Sequence, residues 1–535
     1  MQSLFMIDLY KDRPSWLRSR GYIHITPKLN VGKNIYKIYS QVTSPLYVEK
    51  HAFFPLVHSV IKERKFKKSP IFPKIRGHAH LIKGEVKRSA KLRPLHYSTH
   101  IDSLIFGYYA SVLQELYENE LTKFPGLSEC ITAYRKIPID PSDLLSKGKS
   151  TIHFANEAFK EITERANNGC SVLMFDIKSF FNEIDHDELK KSWRNLLDVP
   201  RLNAAHYNVF KASTDIRYIL KDELRESWTR GKKKTGFDEK KLASIRKNTG
   251  REAFYESTSA LKDAIRRKEI RVYKNPFRKD GKTVGIPQGL PISAVLANLY
   301  LLNFDKSILQ NIVTKLNGFY RRYSDDIMII CQPEHKKEVT DFVTNSIMAS
   351  LVEISTAKTE EYLFRKITIS PTKERISCIH ISEDKCTIDK PLAYLGFEFY
   401  GYMTLVKSAN LAKFYRRMIF SVKRKCRRAK KIQISSDSEK PVIFRRRLRR
   451  KYSQLNLRKA DETIRGTRLR KDIDSSFSFV KYEQDKEHNT NYFSYINKAS
   501  LILDEPAIKD QLKKHNTIFN QAQSRHLRDK DKSML

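Results

Sequence analysis

The stretch FYRRYSDDIMIIC, Phe319 to Cys331, constrains this chain more than any other. Two aspartates, Asp325 and Asp326, stand between an aromatic-basic run and an apolar run. Both flanks have the composition of short strands, so the spacing predicts a β-hairpin with the acids at its turn. Adjacent carboxylates repel each other, and holding them beside buried strands is costly unless something neutralises them. A divalent cation does this well. Mg²⁺ takes hard oxygen ligands, and nucleotide-processing sites bind it by one or two carboxylates plus substrate phosphates. Successive strand residues point to opposite faces, but at a tight turn both acids can reach one side.

The rest of the chain is short of acids. It has 101 Lys and Arg against 60 Asp and Glu, a formal net charge of +41 in 535 residues. Such a field attracts polyanions, most often nucleic acid. The length predicts two to four packed units, and 29 Phe with 26 Tyr supply ample core, which excludes global disorder. The six cysteines, at 130, 170, 331, 378, 386 and 426, show no C-x-x-C and no Cys/His ligand spacing. That pattern argues against a zinc site or a disulfide framework and fits a reducing cytosol. The opening MQSLFMIDLYKDR does not read as a secretory signal, and ISAVLANLYLL is too short to span a bilayer. The expectation is a soluble, cytoplasmic protein with no membrane partner.

Along the chain, residues 1 to about 85 form a basic, amphipathic leader that includes KERKFKK. From Ile101 to Leu121 apolar residues recur at helical spacing, which predicts a long core helix. CSVLMFDIKSFFNEI changes from a continuous apolar run to helical spacing at DHDELKKSWRNLL, which predicts strand, turn, helix. Residues 220 to 256 are highly charged and predict an exposed helical insertion. GIPQGLPISAVLANLYLLNFDKSI predicts a Gly/Pro turn leading into a helix, and a further helix is expected from Lys336 to Leu351. From Lys407 to Lys471 there are 24 basic residues against 4 acidic. There KRKCRRAKK and RRRLRRKY lie on successive helical segments, which predicts a surface that grips nucleic acid.

A third acid for the hairpin pair is expected on a neighbouring strand, and Asp176 in FDIKSFF ends an apolar run just before the chain turns. A strand-ending Asp, a Gly-Gln turn and a hairpin Asp-Asp, in this order, resemble the palm of reverse transcriptases. FDIKSFF is similar to the first palm motif, GIPQGLPISAVLANLYL to the second and YSDD to the third. ISTAKTE, with Lys358, is similar to the fourth, and YLGFEF (Tyr394 to Phe399) to the primer-grip hairpin. The resemblance covers about residues 88 to 405. It implies an α+β right-hand polymerase, with fingers and palm over 88–405 (insertion about 200–275) and a basic helical thumb over 406–475. Helical extensions are expected at 1–87 and 476–535.

Carried over residue by residue, the resemblance implies that Asp176 and Asp325 hold two Mg²⁺ ions. Asp326 would be an auxiliary acid, and the Ile177 carbonyl would complete one coordination shell. Gln288 and Gly289 would line the nucleotide pocket, Arg135 with Lys136 beside it would neutralise the triphosphate, and Lys358 would be the general acid for pyrophosphate. Phe181, five residues after Asp176, would be the aromatic gate against a 2′-OH, with Phe180 in the core. Arg445, Arg446, Arg447, Arg449 and Arg450 would contact phosphates.

The resemblance also narrows the branch. There is no RNase H-like or integrase-like region, no integral protease, no endonuclease module and no retron signature. The arrangement of KHAFFPLVHSVIKERKFKK, KLRPLHYSTHIDSLIFGYYA, AYRK and GKSTIHFANEAF resembles bacterial defence-associated reverse transcriptases of the unknown-group and abortive-infection kind. That implies an RNA template or an associated non-coding RNA, deoxynucleoside triphosphates as substrates, a DNA product, and a possible homo-oligomer. Three alternatives stay open: a template-independent or protein-primed DNA polymerase, an RNA polymerase on the same palm (disfavoured by Phe181), and a non-catalytic nucleic-acid-binding protein. Intact acids at 176, 325 and 326 speak against the last, since gripping a polyanion gains nothing from them.

Overall fold

The computed structural model describes residues 8–20, 25–63, 65–68, 76–82, 85–87, 91–143, 146–221, 253, 255–382, 385–436, 441–443, 445–454, 464–471, 477–484 and 491–527. They fall into two compact units. The first comprises residues 1–135, 174–328 and 337–359, the second 136–173, 329–336 and 360–535. The expected helical insertion at 220–256 lies almost wholly outside the described residues. Among the described residues no helix is long and apolar enough to cross a membrane.

In the first unit, β1 (Leu56–Glu63) pairs antiparallel with β2 (Lys91–Tyr97), and it also runs parallel to Arg217–Leu220. The N-terminal segment is therefore not the helical extension expected. Two helices, Ile35–Thr43 and Pro45–Lys50, are followed by β1, Lys65–Lys68, Arg76–Ile82 and Glu85–Lys87, all strands. The β-branched run in LVHSVI favours a pleated, half-buried surface over a helix. The long helix α1 (His100–Thr122) does form, and it buries Leu104, Ile105, Phe106, Tyr109, Leu113, Tyr117 and Leu121. Its buried Asp102 accepts bonds from His51 Nε2 (2.7 Å) and the Phe54 amide (3.2 Å), so no charge is left uncompensated at its start.

The same unit holds the end of β3 (Cys170–Asp176), β4 (Phe319–Tyr323) and the start of β5 (Asp326–Cys331), in the order β4-β5-β3. β3 is buried on both faces up to Phe175, as its unbroken apolar run requires. β4 alternates, with Tyr320 and Arg322 facing inward. The expected helices form at Ser293–Tyr300 and Lys336–Ala349, and the first gives way at Leu301 to α2 (Leu302–Ile308).

The second unit holds the rest of β5 and β3 with β6 (Glu360–Ser370), β7 (Lys373–Ser382) and β8 (Lys385–Ile388), in the order β5-β3-β6-β7-β8, of which β6-β7 and β7-β8 are antiparallel. Phe399 stacks between Phe159 and Phe364, with ring centroids 4.5 and 5.5 Å away. The YLGFEF segment is a two-residue hairpin. Leu395 and Gly396 both have positive φ, +44° and +96°, as a turn matching strand twist demands. Two helices carry the basic clusters, α3 (Ser408–Ser436) and α4 (Arg446–Tyr452). The helical expectation fails beyond them: Ile464–Lys471 and Phe477–Gln484 pair as an antiparallel hairpin before helices resume at Tyr492. FSFVKY is rich in aromatic and β-branched residues, which favour a strand over a helix.

Candidate active site

The palm-like acids meet within the first unit. Asp176 ends β3, half-buried, and the next residue, Ile177, is buried and gives its amide to the Asp325 carbonyl at 3.1 Å. The Asp176 carbonyl in turn accepts from the Ser355 amide (2.8 Å), and the Lys178 amide bonds the Glu353 carbonyl (2.8 Å). These backbone bonds bring three distant segments together at one strand end.

Ser324 and Asp325 form the two-residue turn between β4 and β5. Ser324 is left-handed at φ +63°, a conformation that costs a non-glycine residue free energy and persists when the surroundings hold it. Here they do. The Ser324 hydroxyl meets the Tyr134 hydroxyl at 3.0 Å, and the Ser324 carbonyl accepts from Arg322 Nη1 at 3.2 Å. Arg322 is wholly buried. It bonds Asp305 of α2 through Nε (2.8 Å) and Nη2 (2.6 Å), and Asn298 Oδ1 through Nη1 (3.2 Å). The Tyr320 hydroxyl donates to the same Asp305 at 2.6 Å. Sequence reasoning missed this network beneath the turn. Its signal was the inward place of Arg322 in an alternating strand, which requires a buried acid in reply.

Burial, and then the Asp176 carboxylate, push the Asp325 carboxyl above its usual range, while its own amide, Lys358 and the Ser324 hydroxyl pull the other way. The two hard carboxylates are a donor pair that suits a divalent cation. Asp326 is not part of that pair. It opens β5 and is exposed, and among the described residues no group of three or more His, Cys, Asp or Glu gathers as a metal cluster. The expected part of Asp326 as an auxiliary acid beside the pair remains a proposal. Lys358, at the end of a short 3-10 turn, bonds Asp176 Oδ2 through its ammonium.

The nucleotide-pocket candidates lie on a second set of backbone ties. The Gly285 amide bonds the Ile184 carbonyl (2.7 Å) and the Ile286 amide bonds the Phe181 carbonyl (2.8 Å), so GIPQG is laced to the segment after Asp176. The Gln288 carbonyl accepts from the His96 amide at 2.8 Å. Gly289, at φ +114°, passes so close to β2 that a Cβ would stand 2.5 Å from the His96 carbonyl oxygen. Phe180 is buried, with its ring 6.4 Å from that of Tyr300, while Phe181 is half-buried.

Arg135, expected to bind the triphosphate, is already held by other groups. The Arg135 side chain is only 2% exposed and spends its donors internally. Nε and Nη2 clamp Glu118 of α1 (2.9 and 2.6 Å), Nη1 bonds the Ser128 and Ile131 carbonyls, and Nη2 bonds the Ser128 hydroxyl. With five donors engaged, this guanidinium fastens a loop to α1 and is not free for a phosphate. Lys136 belongs to the second unit, where it is exposed near Gly148. Arg445, Arg447, Arg449 and Arg450 are exposed at and along α4, and Arg446 lies on the same helix.

Residues 239–399 match the family model described as reverse transcriptase (RNA-dependent DNA polymerase). That segment is similar to a reverse transcriptase domain. Such a domain indicates an enzyme of the nucleotidyltransferase class, and the mixed α+β build with antiparallel sheets is consistent with a right-hand polymerase. The matched residues include Gln288, Gly289, Asp325 and Lys358 and begin after Asp176. No curated protein sequence matches the chain. Among solved structures it is similar to apo telomerase from Candida tropicalis truncated from its C-terminal domain, at 10% identity and a TM-score of 0.35, over 70% of this chain and 59% of that one. It is also similar to telomerase from Candida albicans in complex with a TWJ fragment of telomeric RNA, at 10% identity and a TM-score of 0.32, over 72% and 52%. The chain thus spans little more than half the length of these proteins.

Proposed function

We propose that the chain is an RNA-directed DNA polymerase that adds deoxynucleotides to a primer 3′-OH by phosphoryl transfer. One observation carries this reading: Asp176 and Asp325, far apart in sequence, meet at a strand end, with Lys358 on the first of them and the second inside the segment that matches the reverse transcriptase model. Asp176 and Asp325 would hold the divalent metal (two Mg²⁺ by family resemblance), which would supply charge neutralisation for the triphosphate and a lower pKa for the attacking hydroxyl. Lys358 holds a proton at Nζ beside Asp176, where it can pass to the departing pyrophosphate. Gln288 and Gly289 shape the base and sugar pocket, and the Phe181 ring excludes a 2′-OH.

In this reading residues 88–405 are fingers and palm, and α3 and α4 belong to a thumb that holds nucleic acid by its phosphates. By resemblance the setting is antiphage defence in the cytoplasm, with an associated non-coding RNA as template. Template-independent or protein-primed synthesis on the same site is the second reading, and sequencing the nucleic acid that co-purifies with the chain separates them.

The test is Asp325→Asn. An amide cannot supply the carboxylate's charge, so deoxynucleotide incorporation with Mg²⁺ falls at least a thousandfold (about 4 kcal/mol of barrier) while folding and RNA binding persist. Asp326→Asn loses less, since Asp326 stands outside the pair. Wild-type incorporation by Asp325→Asn overturns the reading.

A further inference from the structure

Helix α3 has two faces of opposite character. Phe414, Met418, Val422, Cys426 and Ala429 form its buried stripe. The helix holds ten Lys and Arg and no acid in 29 residues, so its outer face repels itself and gains from a polyanion laid along it. In the middle of that outer face stands Phe420, 65% exposed. Arg416 and Arg417 precede it by one turn, Arg424 follows by one turn, and Lys413 and Arg427 lie two turns away on the same side, all exposed. A face that only binds phosphates has no use for an aromatic ring held in water, and a face that only needs solubility would not place one there.

We propose that Phe420 is a stacking platform for an unpaired base of nucleic acid whose phosphates are held by the flanking cations. Bases have flat apolar faces and phosphates have charge, and a ring set between arginines offers both complements at once. In a continuous duplex the base faces are covered by their neighbours. The chemistry selected is therefore single-stranded RNA or DNA, or a strand with a flipped or terminal base, rather than duplex. The proposal rests on the polymerase reading for its ligand class, but its residues are separate from the acids.

The experiment uses the full chain carrying Phe420→Ala or Phe420→Trp, with labelled single-stranded RNA, single-stranded DNA and a blunt duplex of equal length, titrated over a range of salt. Phe420→Ala weakens binding to unpaired strands about tenfold at every salt concentration and leaves the salt slope and duplex binding unchanged. Phe420→Trp keeps the affinity. Arg416→Gln with Arg424→Gln instead flattens the slope for all three ligands. Equal loss on duplex and single strands, or no loss on either, overturns the proposal. So does a Phe420→Ala protein whose sedimentation differs from wild type, since a second copy of the chain would then be what covers the ring. Binding unchanged in Phe420→Ala with nucleotide incorporation intact sinks this proposal alone. Incorporation retained in Asp325→Asn sinks the polymerase reading alone.

Discussion

Arg322 and Asp305 form a doubly hydrogen-bonded ion pair, 2.8 and 2.6 Å, in which both side chains are wholly buried. Because the same guanidinium bonds the Ser324 carbonyl, the pair supports the left-handed turn that presents Asp325. Breaking such a pair from one side leaves an uncompensated buried charge, a loss of about 3–5 kcal/mol. Arg322→Met alone therefore lowers the urea midpoint sharply, as does Asp305→Leu alone. The double variant recovers most of the stability, because an apolar pair of similar volume removes both charges, but it does not recover activity, since Ser324 has lost its donor. Denaturant melts of the three proteins check this. Strictly additive losses would mean that the pair is not the support described.

Gly289 and Gly281 make a matched comparison. Both have positive φ, +114° and +79°, but a Cβ on Gly289 meets the His96 carbonyl oxygen at 2.5 Å while one on Gly281 meets nothing within 4 Å. Gly281→Ala thus carries the backbone strain alone, about 1 kcal/mol. Gly289→Ala adds a clash with a strand and must move the Gln288 turn. The expected result is a larger loss of stability and a raised KM for deoxynucleotides in Gly289→Ala only. Steady-state kinetics of the two alanine variants decide it.

His96 gives the fold a pH dependence. Burial first, and then the nearby His58, lower its pKa from the ordinary 6.5 to about 4. The sign follows from which state binds the proton. Between pH 6.5 and 4 the unfolded chain takes up a proton at this residue and the folded chain does not, so stability is fully present above 6.5 and declines as pH falls towards 4. The loss from this residue is about 3 kcal/mol at most. Unfolding at pH 7 and at pH 4.5 in wild type and His96→Gln tests it: the variant shows a shallower decline. An equal decline in both would place the acid sensitivity elsewhere.

How much of this was legible in the sequence depended on whether the deciding partner was local. Asp176 and Asp325 could be read because each ends or interrupts an apolar run, and a run of that kind announces a strand. Arg135 could not. AYRK has the look of a free basic motif, and nothing in it reveals that Glu118, on the helix before it, takes the guanidinium. The helices of the basic region were legible from their apolar stripe, whereas the Ile464–Lys471 and Phe477–Gln484 hairpin was hidden because neither strand alternates apolar and polar residues.

In the proposed reading Phe181 is the gate that sets which sugar the site accepts. Its carbonyl is tied to the Ile286 amide at 2.8 Å, and its ring is half-buried while the ring of Phe180 fills the core. The backbone at Phe181 is thus fixed independently of its side chain, so shortening the side chain opens space without moving Asp176. Phe181→Ala is expected to accept ribonucleotides at least tenfold better than wild type, with deoxynucleotide use only moderately reduced. A gain of that size corresponds to about 1.4 kcal/mol of steric discrimination removed. Phe180→Ala, by contrast, opens a cavity at a cost of about 3–5 kcal/mol and lowers stability without changing sugar choice. Incorporation of both nucleotide types by the two variants, beside their melting curves, separates gate from core. A folded Phe181→Ala protein that still rejects ribonucleotides would move Phe181 to the core and leave the DNA product unexplained by this ring.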